Sequence, residues 1–216
     1  MKKITLLSAM FVLATTIVTA QDSSNDTDNR EKFQIGFKAG LNYSNVYDEQ
    51  GDQFQADAKF GFAGGVMADI PFGKYLGLQP AALISQKGFR ASGAILGGVY
   101  VFTRTTTYVD FPLAITLKPS EFFTIMAGPQ YSYLLHQRDA FESSTTSYAQ
   151  EQEFKNDNVR KNMFGVMGGL DINLKHITLG ARVNWDVQSN NGDGTSSTPR
   201  YKNVWYQGTI GYKFYK

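Results

Sequence analysis

The stretch from Phe33 to Tyr43 alternates without interruption. Its odd positions are apolar or aromatic, and its even positions are polar or glycine. This period of two is typical of a β-strand whose two faces meet different environments. Similar stretches recur to the last residues of the chain. The pattern predicts an all-β fold, a closed antiparallel barrel in a bacterial outer membrane, because such a barrel pairs its own backbone groups and presents an apolar band to lipid.

The first twenty residues have the pattern of a secretion signal. Lys2 and Lys3 precede an apolar run over 4–18, and Val18-Thr19-Ala20 ends in small residues. The run is shorter than the roughly 20 residues that a spanning helix needs, so residues 1–20 are predicted to be a cleaved signal peptide rather than an anchor. The polar segment 21–32 is predicted to be a disordered periplasmic lead-in. Residues 33–216 are predicted to form the barrel.

Composition excludes several classes of function. The chain contains no cysteine, which excludes a lipid-modified N-terminus, a disulfide framework and a thiolate metal site. Removing Lys2 and Lys3 from the 21 basic residues leaves 19, which equals the 19 acidic residues, so nothing indicates a nucleic-acid partner. With two histidines and no phosphate-binding glycine motif, we expect neither a metal nor a cofactor.

Eight strands are predicted, and the connections between them indicate how the barrel is oriented. The connections after the second, fourth and sixth strands are short, whereas the others are long and polar, with 138–161 the longest. Outer-membrane barrels have short periplasmic turns and long external loops, so we expect both termini in the periplasm and four external loops on a monomeric barrel. The predicted strands are 33–46, 58–71, 75–88, 104–117, 122–137, 162–174, 177–188 and 202–215.

Several motifs resemble one family of barrels. Tyr108-Val109-Asp110-Phe111-Pro112-Leu113 is followed by Ala127-Gly128-Pro129, then Gly180-Ala181-Arg182 and a closing Gly211-Tyr212-Lys213-Phe214. Their order over residues 33–216 resembles the PorT-like family of outer-membrane β-barrel proteins. The resemblance implies an eight-stranded barrel of the OmpA or OmpX size class, in a Gram-negative outer membrane. The role of the family's namesake in protein secretion does not transfer with the fold.

Charged residues are expected inside the barrel, where an eight-stranded lumen is just wide enough for side chains to fill it. Strand direction places Lys38, Asp110 and Arg182 near mid-height. We predict a structural network of paired charges, centred on Arg182 and Asp110, that plugs the lumen. The alternative is a narrow path for ions or solutes gated by Arg182. The predicted network comprises Lys38, Asp69, Lys87, Asp110, Arg182 and Asp186.

Catalysis is the weakest of the possible functions. Only His136, with Ser132 on the same predicted face and Asp139 close by, resembles an acid–base or nucleophile set, and a histidine at a barrel rim is usually solvated. We therefore expect no enzymatic activity.

Three functions remain open. The first is a structural role, or binding and adhesion through the external loops to an unidentified extracellular ligand. The second is a low-conductance pore for ions or small solutes. The third is a secreted lipocalin-like binder, which the alternation disfavours because a lipocalin would carry denser charge on its outer face. The expected partners of the first are outer-membrane lipids and, during assembly, the barrel insertion machinery reading the aromatic end of the last strand.

Overall fold

The computed structural model describes residues 29–47, 56–95, 98–143, 147–152, 160–190 and 201–215. A 3-10 helix at Asn29–Glu31 precedes the strands. Within these ranges no helix is long and apolar enough to cross a membrane. The strands are β1 (Gln34–Tyr47), β2 (Ala56–Pro71), β3 (Leu76–Ile95), β4 (Gly98–Ser120), β5 (Phe123–Ser143), β6 (Ser147–Gln152), β7 (Asn162–Leu174), β8 (Ile177–Asp186) and β9 (Lys202–Phe214).

Eight of these strands close a ring, as the alternation predicts. The order runs from β4 through β3, β2, β1, β9, β8 and β7 to β5, and β5 pairs with β4 to complete it. All pairings are antiparallel, and β1 closes on β9 over the register from Ile35↔Phe214 to Tyr47↔Lys202. A closed ring pairs the backbone of every strand inside the sheet, which is the condition for crossing a lipid bilayer with strands.

The two faces of the ring have opposite character. Leu41 is 60% exposed on the outside of β1, whereas Lys38 on the same strand is 3% exposed inside. On β4, Leu113 is exposed outside and Asp110 is buried inside. An apolar exterior around a polar interior is the reverse of a water-soluble barrel. It fits lipid contact and argues against a lipocalin-like protein.

The first and last described residues, Asn29 and Tyr215, lie at one end of the barrel, called here the terminal end, together with the short connections 72–75, 121–122 and 175–176. The opposite end is called the ribbon end, because β3 and β4 continue there as a hairpin over 89–95 and 98–103. The sequence predicted a loop at this place. Its β-branched and aromatic residues instead favour paired strands.

The part of β5 at the ribbon end also differs from the prediction, which was one exposed loop over 138–161. Residues 137–142 of β5 pair with β6, which lies outside the ring. The strands β3 to β6 therefore form a ribbon beyond the apolar band. The sequence also predicts polar external loops at 48–52, 142–146 and 190–197. Of these, residues 48–52, 144–146 and 191–197 lie outside the described residues.

A β-bulge changes the face of residues in β5. Thr107 pairs with His136, but Tyr108 pairs with Leu134, so Leu135 is an extra residue in this strand. The lumen side carries Ser132 and Leu134 below the bulge, and Gln137 above it. The prediction that His136 shares the face of Ser132 is therefore wrong.

The lead-in predicted to be disordered over 21–32 is ordered at its end. Arg30 Nη1 in the 3-10 helix donates to the carbonyl oxygens of Lys118 and Pro119, each at 3.2 Å. The Gln34 amide donates to the carbonyl of Asn29 at 2.7 Å. The Arg30 contacts hold the 3-10 helix against the β4–β5 turn. Residues 1–28, including the predicted signal peptide, lie outside the described residues.

Candidate functional site in the barrel lumen

All six residues of the predicted charge network lie inside the barrel. Each has less than 5% of its surface exposed, and they come from five strands of the ring. Alternation places them there, because lumen positions recur at every second residue along each strand. Their partners, however, differ from the pairing expected from the sequence. The six are Lys38, Asp69, Lys87, Asp110, Arg182 and Asp186.

A first layer of charges lies near the terminal end. Asp69 accepts hydrogen bonds from Lys118 Nζ at 2.7 Å and from Lys213 Nζ at 3.4 Å. Lys213 Nζ also donates to Asn173 Oδ1 at 3.1 Å. Sequence reasoning missed Lys118, because it was assigned to the turn after the fourth predicted strand. The alternation through Thr116 would have placed Lys118 in the lumen.

The second layer is built on Arg182. Its Nη2 donates to both carboxylate oxygens of Asp171, at 2.9 and 3.2 Å, and its Nη1 donates to Thr209 Oγ1 at 2.9 Å. The predicted pairing of Arg182 with Asp110 is therefore wrong. Asp171 lies on the neighbouring strand, opposite Gly180, and is much closer in register. Lys38 in this part of the lumen contacts Gln79 Oε1 at 3.4 Å.

The third layer holds Asp110 with a different cation. Lys87 Nζ lies 3.0 Å from Asp110 Oδ1. The same ammonium lies 3.7 Å from the ring centroid of Trp205 and 4.6 Å from that of Tyr108, a cation–π arrangement. Sequence reasoning missed Trp205, which shares the lumen face of Asn203 and Gln207. Its spacing of two residues from each of them was the available signal, but large aromatic residues are expected on the lipid side.

Asp186 forms none of these ion pairs, although it interacts electrostatically with Lys87 and Asp110. Its Oδ2 accepts a hydrogen bond from Asn203 Nδ2 at 2.5 Å. A neutral amide is thus its hydrogen-bonding partner among the described residues.

The ribbon end of the lumen is closed by an ion pair and an apolar cluster. Arg104 forms a bidentate pair with Asp139, with Nε–Oδ1 at 2.7 Å and Nη2–Oδ2 at 2.8 Å. Its Nη1 donates to Tyr201 Oη at 2.9 Å, and the Tyr201 ring packs against Phe89 with centroids 5.2 Å apart. The cluster consists of Val46, Phe89, Ala91 and Tyr201, with Ala56 and Phe102 packed against it.

Burial determines the protonation of this closure. Burial raises the pKa of the Tyr201 phenol more than the neighbouring Arg104 lowers it. For Arg104, burial opposes the charge, but Tyr201 and Asp139 outweigh it and the pKa is raised above its usual range. The guanidinium therefore stays charged, and the phenol stays protonated and accepts its hydrogen bond.

The residues considered for catalysis are not brought together. Ser132 Oγ lies 3.4 Å from Lys87 Nζ, and Asp139 is engaged by Arg104. His136 lies beyond the bulge on the other face, and His176 is at the opposite end, with Nδ1 2.9 Å from the Lys213 carbonyl. The described residues contain no group of three metal-ligating side chains.

Several solved structures of small outer-membrane proteins are similar to this chain. Neisserial surface protein A superposes with a TM-score of 0.50 at 10% identity, covering 83% of this chain and 97% of that one. The Ail protein of Yersinia pestis gives 0.46 at 14% identity, covering 85% and 99%. OprG of Pseudomonas aeruginosa gives 0.44 at 15% identity, covering 88% and 100%. No curated protein matches.

A family model assigns the chain more directly than these structures, of which neisserial surface protein A supports the fold and, at 10% identity, nothing beyond it. The model described as "Outer membrane protein beta-barrel domain" matches residues 19–190, well over half of the chain. The ring of eight antiparallel strands and the apolar exterior are what such a domain requires. The chain therefore belongs to the outer membrane protein beta-barrel domain family and is a small outer-membrane β-barrel protein.

Proposed function

We propose that this protein acts through its external surface, as a structural or adhesive outer-membrane protein whose lumen is plugged by side chains. The observation that carries the proposal is the layered filling of the lumen. Asp69, Asp171, Asp110 and Asp139 each hold a buried or half-buried cation at successive heights. A lumen filled in this way leaves the ribbon of β3 to β6 as the part of the barrel best suited to bind a partner.

The proposed orientation places the terminal end in the periplasm. The short connections lie at that end, and the ribbon of β3 to β6 lies at the other, as in outer-membrane barrels generally. The exposed apolar band contacts outer-membrane lipids. The last strand ends on Phe214, which the insertion machinery would read during assembly. We propose a monomer, without enzymatic activity, of the PorT-like type, made with a signal peptide cleaved after Ala20.

An adhesion assay tests the role of the ribbon. In the β3–β4 hairpin Ser92 pairs with Val101, so residues 93–100 can be replaced by Asn-Gly, a dipeptide suited to a two-residue turn. Cells displaying the trimmed barrel should be retained less on a surface coated with extracellular matrix than cells displaying the full barrel. Lys74→Ala, at the opposite end, is the matched control and should bind normally. Equal retention of the trimmed barrel would contradict the proposal.

A further inference from the structure

The lower lumen, defined as the buried charges between the terminal end and Arg182, contains more cations than carboxylates. Each of these side chains is at most 5% exposed. The two carboxylates are fully engaged: Asp69 by two lysines, and Asp171 by both oxygens with Arg182. The described charges of the lower lumen are Lys38, Lys118, Arg182 and Lys213 against Asp69 and Asp171.

Lys38 is the cation of the lower lumen that forms no ion pair with a carboxylate among the described residues, since Asp69 pairs with Lys118 and Lys213 and Asp171 pairs with Arg182. Its closest polar contact among the described residues is the neutral Gln79 Oε1, at 3.4 Å. The charge of Lys38 is repelled by Arg182 and Lys213, and the attraction of Asp171 and Asp69, which are already paired with other cations, offsets this repulsion only in part. A buried ammonium without a counter-ion is strongly unfavourable, because burial removes its hydration. A compensating negative charge would relieve this cost.

Hydrogen-bond donors without a partner lie on the side chains that surround Lys38. Within the part of the chain that the structure describes, Arg182 Nε and Gln79 Nε2 are buried without a hydrogen-bond partner, as is Thr116 Oγ1. Gln79 lies opposite Ala114 on β4, two residues from Thr116. A water molecule could satisfy these donors, but it could not balance the charge of Lys38. An anion does both.

We propose that Lys38, Gln79 and Arg182 bind a small monovalent anion, of the size and charge of chloride, inside the barrel. The ion accepts from Lys38 Nζ, Gln79 Nε2 and Arg182 Nε, and it compensates the charge of Lys38, one of the two positive charges by which the described cations of the lower lumen exceed its carboxylates. It is then a structural part of the plug. Its binding stabilises the folded barrel and leaves the unfolded chain unaffected, so stability depends on the ion's concentration.

Urea unfolding in detergent micelles, followed by tryptophan fluorescence, tests the site. Sodium chloride is titrated against sodium gluconate at constant ionic strength, because gluconate is too large for the site. The wild-type midpoint should rise with chloride and follow the saturation law of a single site. Equal midpoints in the two salts would overturn the proposal, since the amine would then be neutral or compensated by water.

Two variants locate the effect. Lys38→Met removes the charge and keeps the chain length, so it should lose the chloride increment while remaining at least as stable as wild type in gluconate. Lys87→Met is the matched control: it also removes a buried lysine, but one that has its own carboxylate, and it should keep the increment. A chloride increment that survives in Lys38→Met would place the ion elsewhere and overturn the assignment.

A direct measurement keeps the proposal testable if a variant does not fold. Crystals of the wild-type protein grown in bromide should give an anomalous peak beside Lys38 Nζ and Arg182 Nε. Well-ordered lumen density without such a peak would contradict the site.

Discussion

The ammonium of Lys87 lies 3.7 Å from the ring centroid of Trp205 and 3.0 Å from Asp110 Oδ1. A carboxylate from β4 and an aromatic face from β9 thus hold one cation from β3 in the middle of the lumen. Strands far apart in the ring are tied together through a single side chain. The side chains that fill the lumen therefore also stabilise the arrangement of the strands.

Removing Lys87 should destabilise the barrel strongly. Lys87→Ala leaves Asp110 buried and unpaired, and breaking a buried pair in this way costs about 3–5 kcal/mol. The double variant Lys87→Met/Asp110→Leu should recover most of that loss, because Asp110 no longer leaves an unpaired carboxylate; the part not recovered reflects the attraction that Asp186 loses with Lys87. Urea unfolding from lipid vesicles measures both. A single variant as stable as wild type would show that the pair has no structural role.

A double-mutant cycle should separate the partner of Arg182 from its distant neighbour. Arg182→Met combined with Asp171→Leu should show a coupling free energy of about 0.5–3 kcal/mol, since the two groups are in contact. The same cycle with Asp110→Leu should give a coupling near zero. The free energy of unfolding of each variant is the measurement. The reverse ranking would restore the Arg182–Asp110 pairing expected from the sequence.

Charge on the outer face should be tolerated only beyond the apolar band. Leu113→Arg places a cation on an exposed, lipid-facing position of β4 and should cost roughly 2–4 kcal/mol at mid-membrane. Thr103→Arg is the matched control, because it lies on the same strand and face but in the ribbon, where the cost should be about 0–1 kcal/mol. Equal costs in a folding titration into lipid would contradict the proposed membrane position.

Alkaline pH should weaken the closure at the ribbon end. Burial raises the pKa of Tyr201, so the folded barrel holds this proton at a pH where the unfolded chain has released it. The stabilisation is complete below the ordinary tyrosine pKa of about 10 and is lost as the pH rises through the higher folded value. Urea midpoints at rising pH should fall less steeply in Tyr201→Phe. Identical slopes would show that Tyr201 does not contribute.

The faces of the strands could be predicted from the sequence, and most lumen contacts could not. Alternation places Lys38 inside and Leu41 outside, because lipid on one side and polar packing on the other impose a period of two. The pairing of Arg182 with Asp171 depends on the register of β7 against β8, which alternation does not specify. The extra residue Leu135 shifts the alternation of inward and outward side chains in β5 by one residue, so His136 lies on the other face.

The ribbon was missed for a related reason. Residues 89–103 contain few turn signals, but their length suggested an external loop. The pairing that makes them strands is between β3 and β4 along their whole length, from Leu76↔Leu117 to Ile95↔Gly98. The β-branched and aromatic residues on either side of Gly97-Gly98 were the available signal in the sequence.

Conductance through a planar lipid bilayer tests the plugged lumen most directly. Purified wild-type protein, inserted at single-barrel density, should show no steady current, because ion pairs and the cluster around Tyr201 fill the path. A variant that removes the closure, Arg104→Ala/Phe89→Ala, should show brief openings at the same voltage. Stable, ion-selective channels in the unmodified protein would contradict the plugged barrel and support the transport function in its place.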